Sequence, residues 1–255
     1  MALASMSEIF ERMVRNGQEF WEVVLADDMD ERQVSREASM AKMLTTWQAM
    51  QDAADSYTGR KRSVSGLVGG DGMKMRQYTF RGCAMTGGYV SEVIAEALSM
   101  AESNACMRRI VAAPTAGACG VLPAVLLPLC KYEELTQHQL LEALYVAAGI
   151  GSVIAYKASI AGASGGCQAE IGTASAMAAG ALVALRGGEG EQIGHAVAMA
   201  LKNLMGLVCD PVAGLVEVPC VKRNVIGAVN AVSAADMALA GIESRIPVDE
   251  VIDAM

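Results

Sequence analysis

The sequence predicts an all-α protein, a single helical domain whose glycine-rich loops lie at helix ends and form the functional site. Apolar residues recur at the spacing of one helix face through most of the chain. Segments that alternate β-branched with polar residues are almost absent, and only VEVPCV (216–221) could form a short strand. Hydrophobic residues make up 53% of the chain but aromatic residues only 4%, so the core must consist of small and unbranched side chains, which suit closely packed helices.

The N-terminal part, residues 1–58, is the most charged and predicts helices with one apolar face. Four of its side chains follow the i, i+3, i+4, i+7 rule: Met40, Met43, Leu44 and Trp47. Residues 59–72 (GRKRSVSGLVGGDG) hold five glycines and predict a loop. Residues 73–255 then form the helical core that carries the functional site.

Within this core the apolar periodicity predicts several helices, over 88–108, 136–160, 168–186, 190–206 and the stretch after 223. Three loops of small residues each open onto an apolar helix: APTAGACG (113–120), GASGGC (162–167) and CDPVAGLVEVPC (209–220). We expect these three loops to be grouped at helix ends.

One uncharged stretch, Ile110 to Cys130, resembles a membrane span in composition. It contains Pro114, Pro123 and Pro128, and each proline inside a helix costs roughly 3 kcal/mol. We therefore interpret it as a loop, a short helix and a kink, and expect no membrane partner. Other apolar runs fall short of the ~20 residues that a spanning helix needs.

Charge and cysteine usage narrow the class of protein further. A net charge of −8 and a pI near 4.9 argue against binding to nucleic acid or to an anionic membrane surface. The number of cysteines, seven, is odd, and no export signal is recognisable at the N-terminus. We expect a reducing, cytoplasmic location in which the thiols are free or bound to metal.

The cysteines divide into two groups by their surroundings. Cys83, Cys106 and Cys130 have the apolar helical context of small core residues, and Cys119 lies in a glycine-rich loop. The remaining three stand beside loop-forming glycines or prolines, as iron–sulfur ligands require: Cys167, Cys209 and Cys220. Cys167 also opens a predicted helix, whose dipole would favour the thiolate over the thiol.

The sequence motifs around these cysteines resemble those of a specific family. The stretches APTAGACG (113–120), ASIAGASGGCQAEIGTASAMAAG (158–180) and LKNLMGLVCDPVAGLVEVPCVKRN (201–224) closely resemble the α subunit of the iron–sulfur-dependent bacterial L-serine dehydratases. The likeness extends to GLVGGDG (66–72) and GIESRIPVDEVIDAM (241–255), and so over essentially the whole chain.

This resemblance implies an all-helical catalytic chain that holds an oxygen-sensitive [4Fe–4S] cluster by three thiolates, at Cys167, Cys209 and Cys220. It also implies a β-type domain, expected as a separate β subunit. Two departures from the family pattern stand out. Lys157 occupies a position where asparagine is frequent, and family members continue past the IDAM end with a glycine-rich tail, without which the chain could be an incomplete catalyst.

The implied reaction is the conversion of L-serine to pyruvate and ammonia. A cluster iron that lacks a thiolate is a Lewis acid that can bind the serine hydroxyl, while a base removes the α-proton. The base is not identifiable from the sequence. Candidate substrate-binding residues flank the cysteines: Thr115, Gly117, Ser164, Gly165, Lys222 and Arg223. Each could instead only cap a helix, form a turn or carry surface charge.

The sequence leaves three alternative functions open. A pyridoxal-phosphate dehydratase performs the same net reaction, but it normally requires an α/β fold. A Cys₃His zinc site that uses His195 would make the protein a non-enzymatic scaffold. A cluster-dependent cysteine desulfidase would keep the fold and change the leaving group. His195 itself is expected to be structural, and His138 to be exposed.

Overall fold

The computed structural model describes residues 3–255, and all regular secondary structure in that range is helical. It contains twelve α-helices, and the only β-type pairing among these residues is an isolated bridge between Val212 and Leu215. The predicted all-α class is therefore confirmed. The possible strand at VEVPCV is not present, because Val218 already begins an α-helix. Pro219 lies in the first turn of this helix, where the N–H group that proline lacks would have no partner in the helix anyway.

Three helices form the N-terminal part, α1 (Met6–Asn16), α2 (Phe20–Arg32) and α3 (Arg36–Asp55). The hydroxyl of Ser5 accepts a hydrogen bond from Glu8 N at 3.0 Å and caps α1. The predicted apolar face of α3 is confirmed, since Trp47 is only 3% exposed and its three partners pack against the same core.

The second pair of helices is α4 (Asp71–Phe80) and α5 (Gly87–Ala105). The loop predicted at 59–72 overlaps the first two residues of α4, Asp71 and Gly72. The carboxylate of Glu102 on α5 is buried and accepts hydrogen bonds from Gly70 N at 3.0 Å and Asp71 N at 2.7 Å. Helix α5 thus supplies the acceptor that the N-terminus of the preceding helix, α4, needs.

The C-terminal half of the chain contains the remaining helices. They are α6 (Val121–Tyr132), α7 (Gln137–Lys157), α8 (Gly162–Gly165), α9 (Thr173–Leu185), α10 (Gly190–Leu204), α11 (Val218–Leu239) and α12 (Val248–Asp253). A short 3₁₀ turn precedes α6, and a π-helical segment precedes α9. Helix α9 is central: every residue from Thr173 to Val183 is buried, and α9 packs against α6, α7, α10 and α11.

Small residues allow this close packing. A Cβ atom added to Gly180 of α9 would collide with Ile150 of α7 and would approach Val197 of α10 within 3.5 Å. Alanines on the same helices are fully buried at Ala178 and Ala196. The low aromatic content of the sequence is therefore explained by helices whose backbones approach one another closely.

Two helices bear on the expectation that the apolar stretches do not span a membrane. The stretch around the prolines is a loop, a 3₁₀ turn and the twelve-residue α6, with Pro128 inside the helix. Among residues 3–255, α7 alone is long and apolar enough to cross a membrane by length and composition. Its most apolar window is 67% buried within the protein, as expected of a core helix.

Candidate functional site

Cys167 lies between α8 and the π-helical segment Gln168–Gly172, in a loop pressed against the segment that leads to Cys209. Gly166 has a φ of +79°, and a Cβ there would lie 2.9 Å from the carbonyl oxygen of Leu207. The backbone N–H of Gln168 donates to that same oxygen at 2.9 Å. Glycine is thus required at 166 both by its left-handed backbone and by the close approach of the two loops.

Cys220 lies in the first turn of α11, and Asn224 one turn later connects it to the 113–120 loop. The buried amide of Asn224 donates to the carbonyl oxygens of Cys220 at 2.9 Å and Gly117 at 2.8 Å, and accepts from Gly120 N at 2.8 Å. The expected grouping of the three small-residue loops is confirmed by these contacts.

Arg223 connects all three cysteine-bearing segments. Its Nη1 donates to Cys167 Sγ at 3.0 Å, to the carbonyl oxygen of Val208 at 3.0 Å and to the carboxylate of Asp210, with which it forms an ion pair. Val208 and Asp210 flank Cys209, and Arg223 itself stands three residues after Cys220 on α11. One guanidinium therefore contacts a cysteine sulfur and both neighbours of a second cysteine.

The charges of this cluster act on one another. Burial raises the pKa of the Cys167 thiol, Arg223 lowers it, and the charges of Cys209 and Glu170 raise it. Burial, followed by the charges of Cys167, Glu170 and Cys209, raises the pKa of Cys220 to about 11. The pKa of Cys167 is raised overall, because burial in an apolar surrounding outweighs the effect of Arg223, and the expected contribution of the helix dipole stays a prediction.

The three cysteines do not form a site for a single metal ion. No group of three or more His, Cys, Asp or Glu side chains within residues 3–255 is close enough to hold one. His195 lies elsewhere, where its Nδ1 accepts a hydrogen bond from Ser244 N at 3.3 Å. The hypothesis of a Cys₃His zinc scaffold is therefore not supported by the geometry, and the expected structural contact of His195 is present.

Glu170 belongs to the site and was missed in the sequence analysis. Thr115 Oγ1 donates to its Oε1 at 2.8 Å, and its carboxylate lies against Gly117 and Gly162. It joins the 113–120 loop to the loop of Cys167. A signal for it existed, since Glu170 is the only charged residue between Lys157 and Arg186.

The other substrate-binding candidates lie around this centre. Ser164 is exposed, and its hydroxyl is 3.0 Å from Ser159 Oγ and 3.2 Å from the carbonyl oxygen of Ala161, so it takes part in the turn. Gly165 ends α8. Lys222 is half-exposed and forms an ion pair with Asp71 at the start of α4, which brings the GLVGGDG motif to the edge of the site.

The remaining cysteines are all free thiols. Cys119 is 1% exposed, and burial raises the pKa of its thiol to about 12. Cys130 and Cys106 are half-buried. The prediction that Cys83 is a core residue is wrong, because it is exposed in the connection between α4 and α5.

Lys157, one of the two departures noted in the sequence, has a structural partner. Its Nζ lies 3.0 Å from a carboxylate oxygen of Asp253 and 3.4 Å from one of Asp249, both on α12. The lysine therefore connects the end of α7 to the C-terminal helix, away from the cysteines.

Comparison with known proteins agrees with the motifs. Residues 15–255 match the sequence model of a family described as "Serine dehydratase alpha chain". The chain is 47% identical over 234 residues to a probable L-serine dehydratase alpha chain of Bacillus subtilis, covering 92% of this chain and 78% of that protein. It is 38% identical over 254 residues to the L-serine dehydratase alpha chain of Peptoniphilus asaccharolyticus, covering 99% and 87%.

A longer relative matches in part. L-serine dehydratase 2 of Escherichia coli is 48% identical over 161 residues, which is 62% of this chain and 35% of that protein.

Proposed function

Because the chain belongs to the serine dehydratase alpha chain family, we propose that it is the catalytic chain of an L-serine dehydratase. The reaction removes the hydroxyl and the α-proton of L-serine, and the resulting enamine hydrolyses to pyruvate and ammonia. The observation that carries this proposal is the convergence of the three cysteine-bearing segments on Arg223. The named relatives favour serine over cysteine as the substrate, since each is called an L-serine dehydratase.

We further propose that Cys167, Cys209 and Cys220 hold a [4Fe–4S] cluster. The donor set suits this group, because thiolates are the usual cluster ligands and a cube separates its ligands further than a single ion does. The raised pKa values of Cys167 and Cys220 indicate that their thiolates need a positively charged partner. Iron would supply that charge, since coordination deprotonates a thiol.

When bound, a cluster with three protein ligands supplies a Lewis-acidic iron that polarises the serine hydroxyl. The residues of this chain do the rest. Arg223 offsets the negative charge of the thiolates. Lys222 is a proposed partner of the substrate carboxylate, and Thr115, Gly117, Ser164 and Gly165 border the site. The base for the α-proton is not assigned.

A separate β subunit is the proposed partner, because relatives that match most of this chain are named as alpha chains. The free thiols of the described residues are consistent with a reducing compartment, and we propose the cytoplasm.

The test is to purify the protein anaerobically and to measure iron, acid-labile sulfide and pyruvate formation from L-serine. We expect stoichiometric iron and sulfide, a broad absorption that bleaches in air, and pyruvate formation when the β subunit is present. Absence of labile sulfide, or a sharp aldimine absorption that is stable in air, would contradict the proposal.

A further inference from the structure

Glu170 is held in a cradle made by two loops that are distant in sequence. Thr115 Oγ1 donates to Oε1 at 2.8 Å. A Cβ atom added to Gly117 would lie 3.0 Å from Oε2, and one added to Gly162 would lie 2.5 Å from it. Glycine at both positions leaves the space that the carboxylate fills, so its place is fixed by the surrounding backbone.

The cradle lies beside the cysteines. Glu170 follows Cys167 by three residues, and its charge acts on the thiols of both Cys167 and Cys220. The carboxylate is half-buried, so it is accessible to a small solute.

No cation within residues 3–255 forms an ion pair with Glu170. The two nearby cations are engaged elsewhere: Arg223 pairs with Asp210 and contacts Cys167, and Lys222 pairs with Asp71. Thr115 is the only hydrogen-bond donor to the carboxylate among the described residues, and no described cation balances its charge.

We propose that Glu170 binds the α-ammonium group of the amino-acid substrate. The inference rests on the proposed function, and it names a residue that recognises the amine. The ammonium group supplies a positive charge and donates hydrogen bonds to the carboxylate. Thr115 then holds the acceptor in position, and it does so through Oε1, which leaves Oε2 and the remaining lone pairs for the ligand.

This assignment makes the site selective for amino acids over hydroxy acids. A ligand with the same hydroxyl and carboxylate but no amine leaves Glu170 unpaired and gains nothing from it. Because like charges repel, the substrate carboxylate is expected to point away from Glu170.

The experiment compares two ligands in the reconstituted holoenzyme with its β subunit. D-Serine carries the amine, and 3-hydroxypropionate lacks it; both are measured as competitive inhibitors and by direct binding in calorimetry. Glu170→Gln keeps the shape and removes the charge. We expect the affinity for D-serine and L-serine to fall about tenfold or more, as for loss of a charged hydrogen-bond partner. The affinity for 3-hydroxypropionate should stay within about twofold, since Glu170 gives that ligand no favourable contact.

Glu191→Gln is the matched control, because Glu191 is exposed on α10 and the change removes the same charge at a distance. This variant should leave the affinity for both ligands unchanged. Thr115→Val is the second variant: the carboxylate remains but loses its donor, and we expect a smaller loss confined to the amine-bearing ligands. Iron and sulfide content should equal that of the wild type in all three.

Two results would overturn the assignment of Glu170. One is unchanged affinity for D-serine in Glu170→Gln; the other is an equal loss for both ligands, which would mean a general structural role. Failure of the proposed function is distinguishable, because the wild-type protein would then contain no labile sulfide and form no pyruvate.

Discussion

Arg223 is the side chain on which the arrangement of the cysteines depends. Its hydrogen bonds to Cys167 Sγ and to the carbonyl oxygen of Val208 join two loops whose contacting residues are 41 positions apart in sequence. Burial lowers the pKa of a guanidinium, but the thiolate of Cys167 and the carboxylate of Asp210 outweigh it and keep the pKa of Arg223 raised. The group is therefore a permanent positive charge at the position where three thiolates would gather.

The ligand assignment is tested by substituting one cysteine from each group. Cys209→Ala should abolish both the iron–sulfide content and the pyruvate formation, because two thiolates cannot hold the cluster in place. Cys130→Ala is the control: Cys130 is half-buried on α6 and has no part in the site, so its iron–sulfide content should equal the wild-type value. A full cluster in Cys209→Ala would refute the assignment.

Substitution by alanine should have different effects at Gly162, which lies against the Glu170 carboxylate, and at Gly172, which lies two residues after it. In Gly162→Ala the new Cβ would lie 2.5 Å from Glu170 Oε2 and displace the carboxylate, so we expect turnover to fall roughly tenfold or more. Gly172→Ala is expected to raise the free energy of unfolding by about 0.4–1 kcal/mol, because Gly172 has helical dihedral angles and a Cβ there meets nothing closer than 3.9 Å.

Urea unfolding and steady-state kinetics on both glycine variants check this prediction. Equal kinetics for the two would show that the space beside Glu170 is not important.

Among the elements, α4 depends most on a group outside itself. Its N-cap is Gly70, which has no side chain to cap the helix, and the carboxylate of Glu102 on α5 accepts the N–H groups of Gly70 and Asp71 instead. Tyr57 also donates its hydroxyl to Glu102, so the segment that follows α3 meets α4 and α5 at one carboxylate. Since Asp71 pairs with Lys222, the position of α4 reaches the edge of the site.

Glu102→Gln should therefore destabilise the protein by about 1–3 kcal/mol, because a buried charged acceptor of several N–H groups is lost. The change is measured by chemical denaturation, together with hydrogen exchange of the amides at the start of α4. Glu142→Gln on the half-exposed face of α7 is the control and should change the stability by less than about 0.5 kcal/mol. Unaltered exchange at Gly70 and Asp71 in Glu102→Gln would contradict the capping role.

The helices could be predicted from the sequence, and the contacts between loops could not. Apolar spacing located α5, α7, α9 and α10 to within a few residues, because burial of one face is a local pattern. VEVPCV alternated like a strand, yet Pro219 fits the first turn of α11. Glu170 escaped notice because its partners, Thr115 and Gly117, lie more than 50 residues earlier in the chain. Motif resemblance supplied the proposed ligands, and only the tertiary structure shows how their segments contact one another.

The two ends of the described chain are held together by one carboxylate. Asp249 of α12 accepts hydrogen bonds from Met6 N at 3.0 Å and Ser7 N at 2.9 Å at the start of α1, and from the Ser7 hydroxyl at 2.6 Å. Burial raises the pKa of Asp249, but these hydrogen bonds and the charge of Lys157 outweigh it, so the pKa lies below its usual range.

A lowered pKa in the folded state fixes the direction of the pH dependence. The stabilisation by Asp249 is fully present above the unfolded value of about 3.9 and is lost as the pH falls through the lower folded value. We expect the free energy of unfolding of the wild type to exceed that of Asp249→Asn by about 1–3 kcal/mol at neutral pH. The difference should shrink below about pH 4. Denaturation at several pH values measures it, and a difference that is constant from neutral to acid pH would contradict the prediction.

In the complete enzyme, the proposed partner of this chain is a β subunit. We expect the isolated chain to bind iron and sulfide but to turn over L-serine slowly, and the addition of a β subunit to raise the rate, because relatives that match most of this chain are named as alpha chains. Pyruvate formation with and without the β subunit measures the effect. Full activity of the chain alone would overturn the expectation of a required partner.

The π-helical turn after Cys167 holds one residue more than an α-helix would need. Deletion of a single residue there would restore ordinary winding within the bundle, because a π-helical turn is how a helix accommodates one added residue. The bundle would persist, but the turn that places Cys167 next to the segment at 207–209 would be lost.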